Sequence, residues 1–350
     1  MNARENILKA IHFERPDYIP MTFKINDACW NAYPKDALLD LMADHPLLFP
    51  DFQRSQYAHP PAFANVARKD SPYCDDFGCL WKTSTDGITG VVTEHPLADW
   101  DSFSQYQMPD PEKCVGIGSI DWQQEKQRIE NRKSQHLFTK AGLRHGHTFL
   151  QLCDLRGYEN LMFDMADEES RLFPLISQIE NFNLSIIRKY LAIGVDLIAY
   201  PEDLGMQYGP MLSPEYFRQY ILPSYRRLME PAREKGVPIH MHSDGDIRLL
   251  ADDLLSLDIS VLNLQDLVNG LDWIKENLFG RVCIELDIDR QNITAQGTPA
   301  QIQELIQKEV QLLGSRQGGL MMIYGLYPGV PLENVRALMD AMEKFSILND

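Results

Sequence analysis

No cysteine pair in this chain is spaced for a zinc ribbon or a redox dithiol. Cys29, Cys74, Cys79, Cys114, Cys153 and Cys283 are scattered, with no CxxC, and in a reducing compartment such thiols stay free. Basic charge is scarce as well. Lys and Arg number 33 against 50 Asp and Glu, a formal net charge of −17, which argues against a nucleic-acid-binding face or a docking surface for anionic membranes. No apolar run approaches the roughly 18 residues of a membrane span. The start, Met1-Asn-Ala-Arg-Glu-Asn6, has neither the apolar core nor the cleavage site of a signal peptide, so a cytoplasmic protein is expected. No HExxH is present, and no Gly-x-Gly-x-x-Gly follows the early strand, which weakens the alternative of a doubly wound nucleotide-binding sheet.

What is present is a strand-and-helix rhythm. Segments beginning at Tyr18, Gln135, Thr148, Val195, Val237, Val261, Val282 and Gly319 read as strands, and most are separated by helical patterns of ten residues or more. Such alternation implies parallel pairing through crossover helices, and eight strands close a (β/α)8 TIM barrel. The expected organisation is one barrel domain over 1–350. An irregular N-terminal excursion at 49–111, rich in Pro, Asp, Tyr and Gly, covers one end.

The segment Val237-Pro-Ile-His-Met-His-Ser-Asp-Gly-Asp246 is the most informative. Strand side chains alternate, so His240 and His242 share a face, and the Ser243–Asp246 cluster sits where a strand hands over to a helix. In a parallel barrel that is the carboxyl end, where chemistry is carried. Either histidine alone reads as a hydrogen-bonded core residue and either aspartate as a helix cap. The cluster as a whole reads otherwise, because burying imidazoles beside carboxylates is costly unless they share a metal or substrate. The other strand ends would bring Lys24, Asp27, Asp154, Glu202, Asp203, Asn263, Gln265, Glu285, Asp287 and Tyr324 to the same mouth. Such donors suit zinc or a similar divalent ion, but carboxylates at a barrel mouth also bind substrate hydroxyls.

Five ordered blocks carry a family resemblance: Arg4-Glu-Asn6 with Arg15-Pro-Asp-Tyr-Ile-Pro20, Pro201-Glu-Asp-Leu-Gly-Met-Gln207, Ser213-Pro-Glu215, His242-Ser-Asp-Gly245 and Tyr327-Pro-Gly-Val-Pro-Leu-Glu-Asn334. Together they are similar to the uroporphyrinogen decarboxylase superfamily. The resemblance implies the barrel and one of two chemistries, cofactor-free decarboxylation of a tetrapyrrole or zinc-assisted methyl transfer involving a corrinoid protein. The decarboxylating branch resembles a barrel whose first strand ends in an arginine-rich Gly-Arg-Tyr segment that holds the substrate's acid groups. Here the region reads Lys24-Ile-Asn-Asp-Ala-Cys29, without guanidinium forks for a polyanion. In thiol-methylating members the strand ends His-x-Cys-Gly and a second cysteine follows the last strand. The matching residues here are His242, Asp244 and, approximately, Tyr324.

With both thiolates gone, a metal held by oxygen and nitrogen donors is more Lewis acidic and better suited to an ether than to a thiol. The resemblance thus implies a methyltransferase that demethylates a methoxylated small molecule and passes the methyl group to cobalamin on a corrinoid-binding partner. The expected metal ligands are His242, Glu202 and Asp244, and the expected catalytic residues His242, Glu202 and Asp203. Substrate contacts are expected from Gln207, Asn263, Glu285, Tyr324, His240 and Lys24. Two further classes stay open: a metal-free lyase using His242 with a carboxylate as acid and base, and a noncatalytic barrel binding a tetrapyrrole or small ligand.

Overall fold

The computed structural model describes residues 2–59 and 62–347. Seven parallel strands form the main sheet: β1 (Met21–Ile25), β2 (Lys140–Gly142), β3 (Leu197–Pro201), β4 (Ile239–Ser243), β5 (Val261–Gln265), β6 (Cys283–Asp287) and β7 (Leu320–Leu326). Their lateral order is β1-β7-β6-β5-β4-β3-β2, so the sheet curls into a TIM-barrel-like half-barrel wrapped by helices. β1 and β2 are its two edges, and no ladder joins them among the described residues.

The eighth expected strand, at Thr148, is a helix over Phe149–Arg156. A short apolar run cannot choose between strand and helix by periodicity. Here the choice is made from a distance. The Glu202 carboxylate accepts the backbone N–H groups of Thr148 and Phe149 at 3.0 Å and of Leu150 at 3.2 Å, capping donors that an isolated helix start leaves unpaired. The strand expected from Gln135 to Lys140 instead begins at Lys140, after the helix Trp122–Ser134.

Alternation along the strands divides the barrel interior into layers. At the amino end, Leu197, Val261, Cys283 and Met321 form an apolar cluster sealed by Ala10 and Ile11 of the helix Ala3–His12. That helix is anchored by Arg4, whose Nη2 lies 2.7 Å from Asp196 Oδ1. Above the seal lies a polar layer of Lys24, Lys140, His240 and Glu285, and above that His242, Asn263 and Asp287. A two-residue step along a strand is about 6–7 Å, which sets the spacing of these layers.

The long helix Leu172–Ile193 ends at Gly194 in the left-handed conformation (φ 85°), as its sequence predicts. Within 49–111 lies a small antiparallel sheet of Tyr73–Cys74, Leu80–Lys82 and Val91–Glu94. It joins the body where Phe77 meets Phe182 edge-on at 5.0 Å and where Leu97 N–H donates to Leu155 O.

Candidate active site

At the carboxyl end of β3, neighbouring residues take opposite directions. Pro201 lines the cavity and Asp203 reaches His242, whereas Glu202 turns outward and is wholly buried, receiving Tyr225 Oη at 2.9 Å besides its three backbone donors. Burial raises its pKa, and the N–H groups of Phe149 and Leu150 with the Tyr225 hydroxyl oppose the rise. Glu202 therefore stands away from the mouth. The expected trio of His242, Glu202 and Asp244 is not the one brought together.

The convergent trio is His145, Asp203 and His242, whose ligand atoms all lie within 4.8 Å of one another. Asp203 Oδ1 is 3.1 Å from His145 Nε2 and 3.5 Å from His242 Nε2. It also accepts the Asp244 backbone N–H at 3.1 Å. The tautomer of His242 follows from its other nitrogen. Asn263 spends its amide N–H on the Glu285 carbonyl at 2.7 Å, so its Oδ1 is the acceptor of His242 Nδ1–H at 2.6 Å. The Nε2 lone pair of neutral His242 then faces an anionic oxygen, an arrangement satisfied by a proton or by a cation held between them. Burial alone would lower the His242 pKa, but the Asp203 hydrogen bond and the Asp244 and Asp287 charges raise it. Asp203 is itself held far below the usual carboxylate range, since the two imidazoles outweigh its burial.

The donor set passes a simple metal test. In a tetrahedral site with bonds near 2.0–2.1 Å, ligand atoms stand about 3.3 Å apart, and the two imidazole-to-carboxylate separations are 3.1 and 3.5 Å. The Nδ1–H of His242 given to an amide oxygen is the outer contact that orients metal-binding histidines.

Asp244, the other expected ligand, is 3.9 Å from His242 Nε2, and Arg290 Nη2 pairs with it at 3.1 Å and with Asp287 Oδ2 at the same distance. Burial pushes Asp287 up to about 7, with Arg290 opposing and Asp244 adding to the rise, and its Oδ1 is buried without a partner. Beneath, His240 Nε2 lies 2.7 Å from Glu285 Oε2 and 3.0 Å from Lys140 Nζ. Burial and the Lys140 charge push His240 down to about 4.

Of these groups, Lys140, His240, His242, Asn263, Glu285, Asp287 and Arg290 line a cavity of about 530 Å³ with Lys24, Ile323 and Tyr327. Asp203 and Asp244 adjoin it through His242 and Arg290. Lys24, His240, Asn263 and Glu285 are thus placed as expected. Two expected substrate contacts are not. Tyr324 is fully buried on the outer face, its hydroxyl 3.3 Å from Thr294 Oγ1, because Ile323 and Gly325 take the inward positions of β7. Gln207 is exposed on the hairpin Gly205–Pro210, outside the cavity lining. Asp154 lies in the helix Phe149–Arg156 and pairs with Arg144 at 2.6 Å, away from the cavity. Gln265 accepts the Gly245 N–H at 2.9 Å.

Sequence reasoning missed His145, Lys140 and Arg290. Starting β2 at Lys140 would have placed His145 three residues past a strand end. Arg290 follows Asp287 at the same interval.

Comparison with known proteins agrees with this layout. The family model for uroporphyrinogen decarboxylase matches residues 75–345. A curated relative of that name from Thermus thermophilus is 26% identical over 186 residues, covering 51% of this chain and 50% of the relative. Another from Syntrophotalea carbinolica is 27% identical over 216 residues, covering 59% and 54%. The chain thus spans about half the length of the curated relatives it matches. Among solved structures, a methyltransferase from Methanosarcina mazei shares the fold with a TM-score of 0.63 at 16% identity, over 98% of each chain. No helix among the described residues is long and apolar enough to cross a membrane. With a family model matched over most of its length and a barrel whose strand ends converge on one polar mouth, the chain belongs to the uroporphyrinogen decarboxylase family.

Proposed function

We propose that the protein removes a methyl group from a methoxylated small molecule and delivers it to a corrinoid carried by a separate protein, with a zinc-like divalent ion held by His145, Asp203 and His242. The observation that carries this reading is the convergence of those three donor atoms beside the cavity that His242 lines. The methyltransferase fold of the Methanosarcina mazei protein supports it. So does the lack, at Lys24–Cys29, of the guanidinium groups a polyanionic tetrapyrrole would need. Bound there, a divalent ion supplies Lewis acidity to an ether oxygen.

The chain's own residues supply the rest. Asn263 fixes the His242 ring with Nε2 directed at Asp203. Arg290 holds Asp244 and Asp287 on one side of the cavity. Asp287, whose pKa burial raises to about 7 against the opposing Arg290, is the acid placed to give a proton to the oxygen left when the methyl group departs. The test is methyl transfer from methoxylated phenols to a corrinoid protein, followed by the corrinoid's visible spectrum. His145→Ala and His242→Ala are each expected to slow it by roughly 100-fold or more. Full rates in both variants and after chelation would overturn the reading.

Asp287 also favours a second reading, a metal-free lyase in which Asp287 and His242 act as acid and base. Turnover that resists chelation but is lost in Asp287→Asn would select it.

A further inference from the structure

The polar layer beneath His242 carries two ammonium groups, open to solvent, beside one carboxylate. Lys24 on β1 and Lys140 on β2 face the same interior space across the seam where the two edge strands do not pair. They line both the mouth cavity and a smaller one of about 140 Å³ below it, whose walls include Ile11, Phe138, Leu197 and Met321. The ammonium groups thus sit at the junction between a polar chamber and an apolar floor. Among the described residues, Glu285 is the carboxylate lining both cavities, so two ammonium groups share one acid at this level.

The hydrogen bonds do not resolve the surplus. Glu285 Oε2 stands 2.7 Å from His240 Nε2, which requires that nitrogen to carry the proton. The same nitrogen is the contact of Lys140 Nζ at 3.0 Å, and an N–H cannot accept from an ammonium. Lys140 therefore lacks an acceptor in this contact, and no carboxylate among the described residues forms a salt bridge with it. The Lys24 ammonium makes no side-chain hydrogen bond or salt bridge among the described residues, although its charge acts on Glu285 and Lys140. Both lysines are exposed to solvent through the open seam, so their ammonium groups are accessible to an entering ligand. Partial desolvation lowers the Lys140 pKa, Glu285 opposes this, and the Lys24 charge adds to the lowering. In a chain of net charge −17, two solvated lysines that line one cavity with donors to spare make a place where an anion can be received.

We propose that Lys24 and Lys140 form a subsite for a carboxylate of the substrate, placed one layer below the reacting centre at His242. The substrate class is then a small organic acid whose carboxylate lies about 6–7 Å deeper than its reacting end, the two-residue rise between the layers of His240 and His242. The His240–Glu285 pair braces Lys140, while Lys24 closes the other side of the anion. This subsite deepens the methyl-transfer reading by naming the substrate's other end, and rests on it only for what happens at the mouth.

The experiment is calorimetric titration of the full-length protein, kept in chelator, with benzoate, its neutral isostere benzamide, and inorganic phosphate. Benzoate is expected to bind at least tenfold more tightly than benzamide or phosphate. Lys24→Met, which breaks no hydrogen bond, is expected to weaken benzoate at least fivefold and leave benzamide unchanged, whereas Lys24→Arg retains binding. Lys140→Met should match Lys24→Met, with the thermal midpoint of each variant reported beside its affinity. Equal affinities for benzoate and benzamide, no binding of benzoate, tighter binding of phosphate, or an unchanged benzoate affinity in Lys24→Met would each overturn the subsite. Binding should also persist in His242→Ala. Its loss there would move the anion to the mouth and refute the subsite without touching methyl transfer. Retained binding in a protein that fails to transfer methyl groups would refute only the latter.

Discussion

Carboxylates at the strand ends of this barrel fall into two regions that look alike in sequence and differ in physics. On the outer side, Glu202, Asp266 and Asp289 spend their oxygens on backbone N–H groups of the segments that follow. Glu202 caps the helix at Phe149, Asp266 accepts from Leu267 and Asp289, and Asp289 accepts from Gln291 and Asn292. On the inner side, Asp287 and Glu285 in the cavity and Asp203 and Asp244 beside it meet imidazoles or Arg290. The outer set is consumed in holding the fold. The inner set has capacity left over, shown by the partnerless Asp287 Oδ1, the Nε2 of His242 aimed at Asp203, and the unanswered Lys24 and Lys140. One residue of register separates the two fates, as Glu202 and Asp203 show side by side.

The sharpest way to break this comparison is to exchange the consequences of those two neighbours. Asp203→Ala should cut methyl transfer by roughly 100-fold or more and cost less in urea-unfolding free energy than Glu202→Ala, since it gives up one backbone N–H and two imidazole contacts rather than a buried four-donor cap. Glu202→Ala should do the reverse in kind. Removing it leaves three buried N–H groups and the Tyr225 hydroxyl unpaired, at a cost of about 3–5 kcal/mol in the urea-unfolding free energy. Stability loss in Asp203→Ala with none in Glu202→Ala would erase the distinction.

A smaller effect is expected from Glu309, which lies buried against the outer set. Burial and the Asp266 charge hold its carboxyl well above the ordinary range, so the folded state keeps its proton more tightly than the unfolded chain does. Its contribution to stability is therefore fully present below the unfolded value of about 4.3 and is lost as pH rises toward the folded one. Glu309→Gln should be about 1–3 kcal/mol more stable than the native chain at pH 8, with the gap closing by pH 4, measured by urea unfolding at both values. A gap that widens toward acid would have the wrong sign. Smallest of all, Tyr324→Phe removes a single hydroxyl contact on the outer face and should cost less than about 1 kcal/mol, with ligand affinity in the cavity unchanged.

Much of this layout was legible beforehand. The strands at Met21, Leu197, Ile239, Val261, Cys283 and Leu320 follow apolar runs bounded by turn residues, and the shared face of His240 and His242 follows from alternation alone. What escaped was decided at long range. The run from Thr148 became a helix because a carboxylate more than fifty residues away caps it. Moving that element left β2 shorter and later than expected, and with it went sight of His145 and Lys140. Tyr324 was misplaced for a simpler reason. Its position near a strand end predicts the mouth, whereas the parity of β7 sends Ile323 and Gly325 inward instead.

Metal content tests the central claim most directly. Elemental analysis of the purified full-length protein should find about one divalent ion per chain, lost in Asp203→Asn, His145→Ala and His242→Ala and retained in Glu202→Gln. An ion lost from Glu202→Gln but kept in His145→Ala, or no bound ion after zinc is supplied to the native chain, would contradict the account.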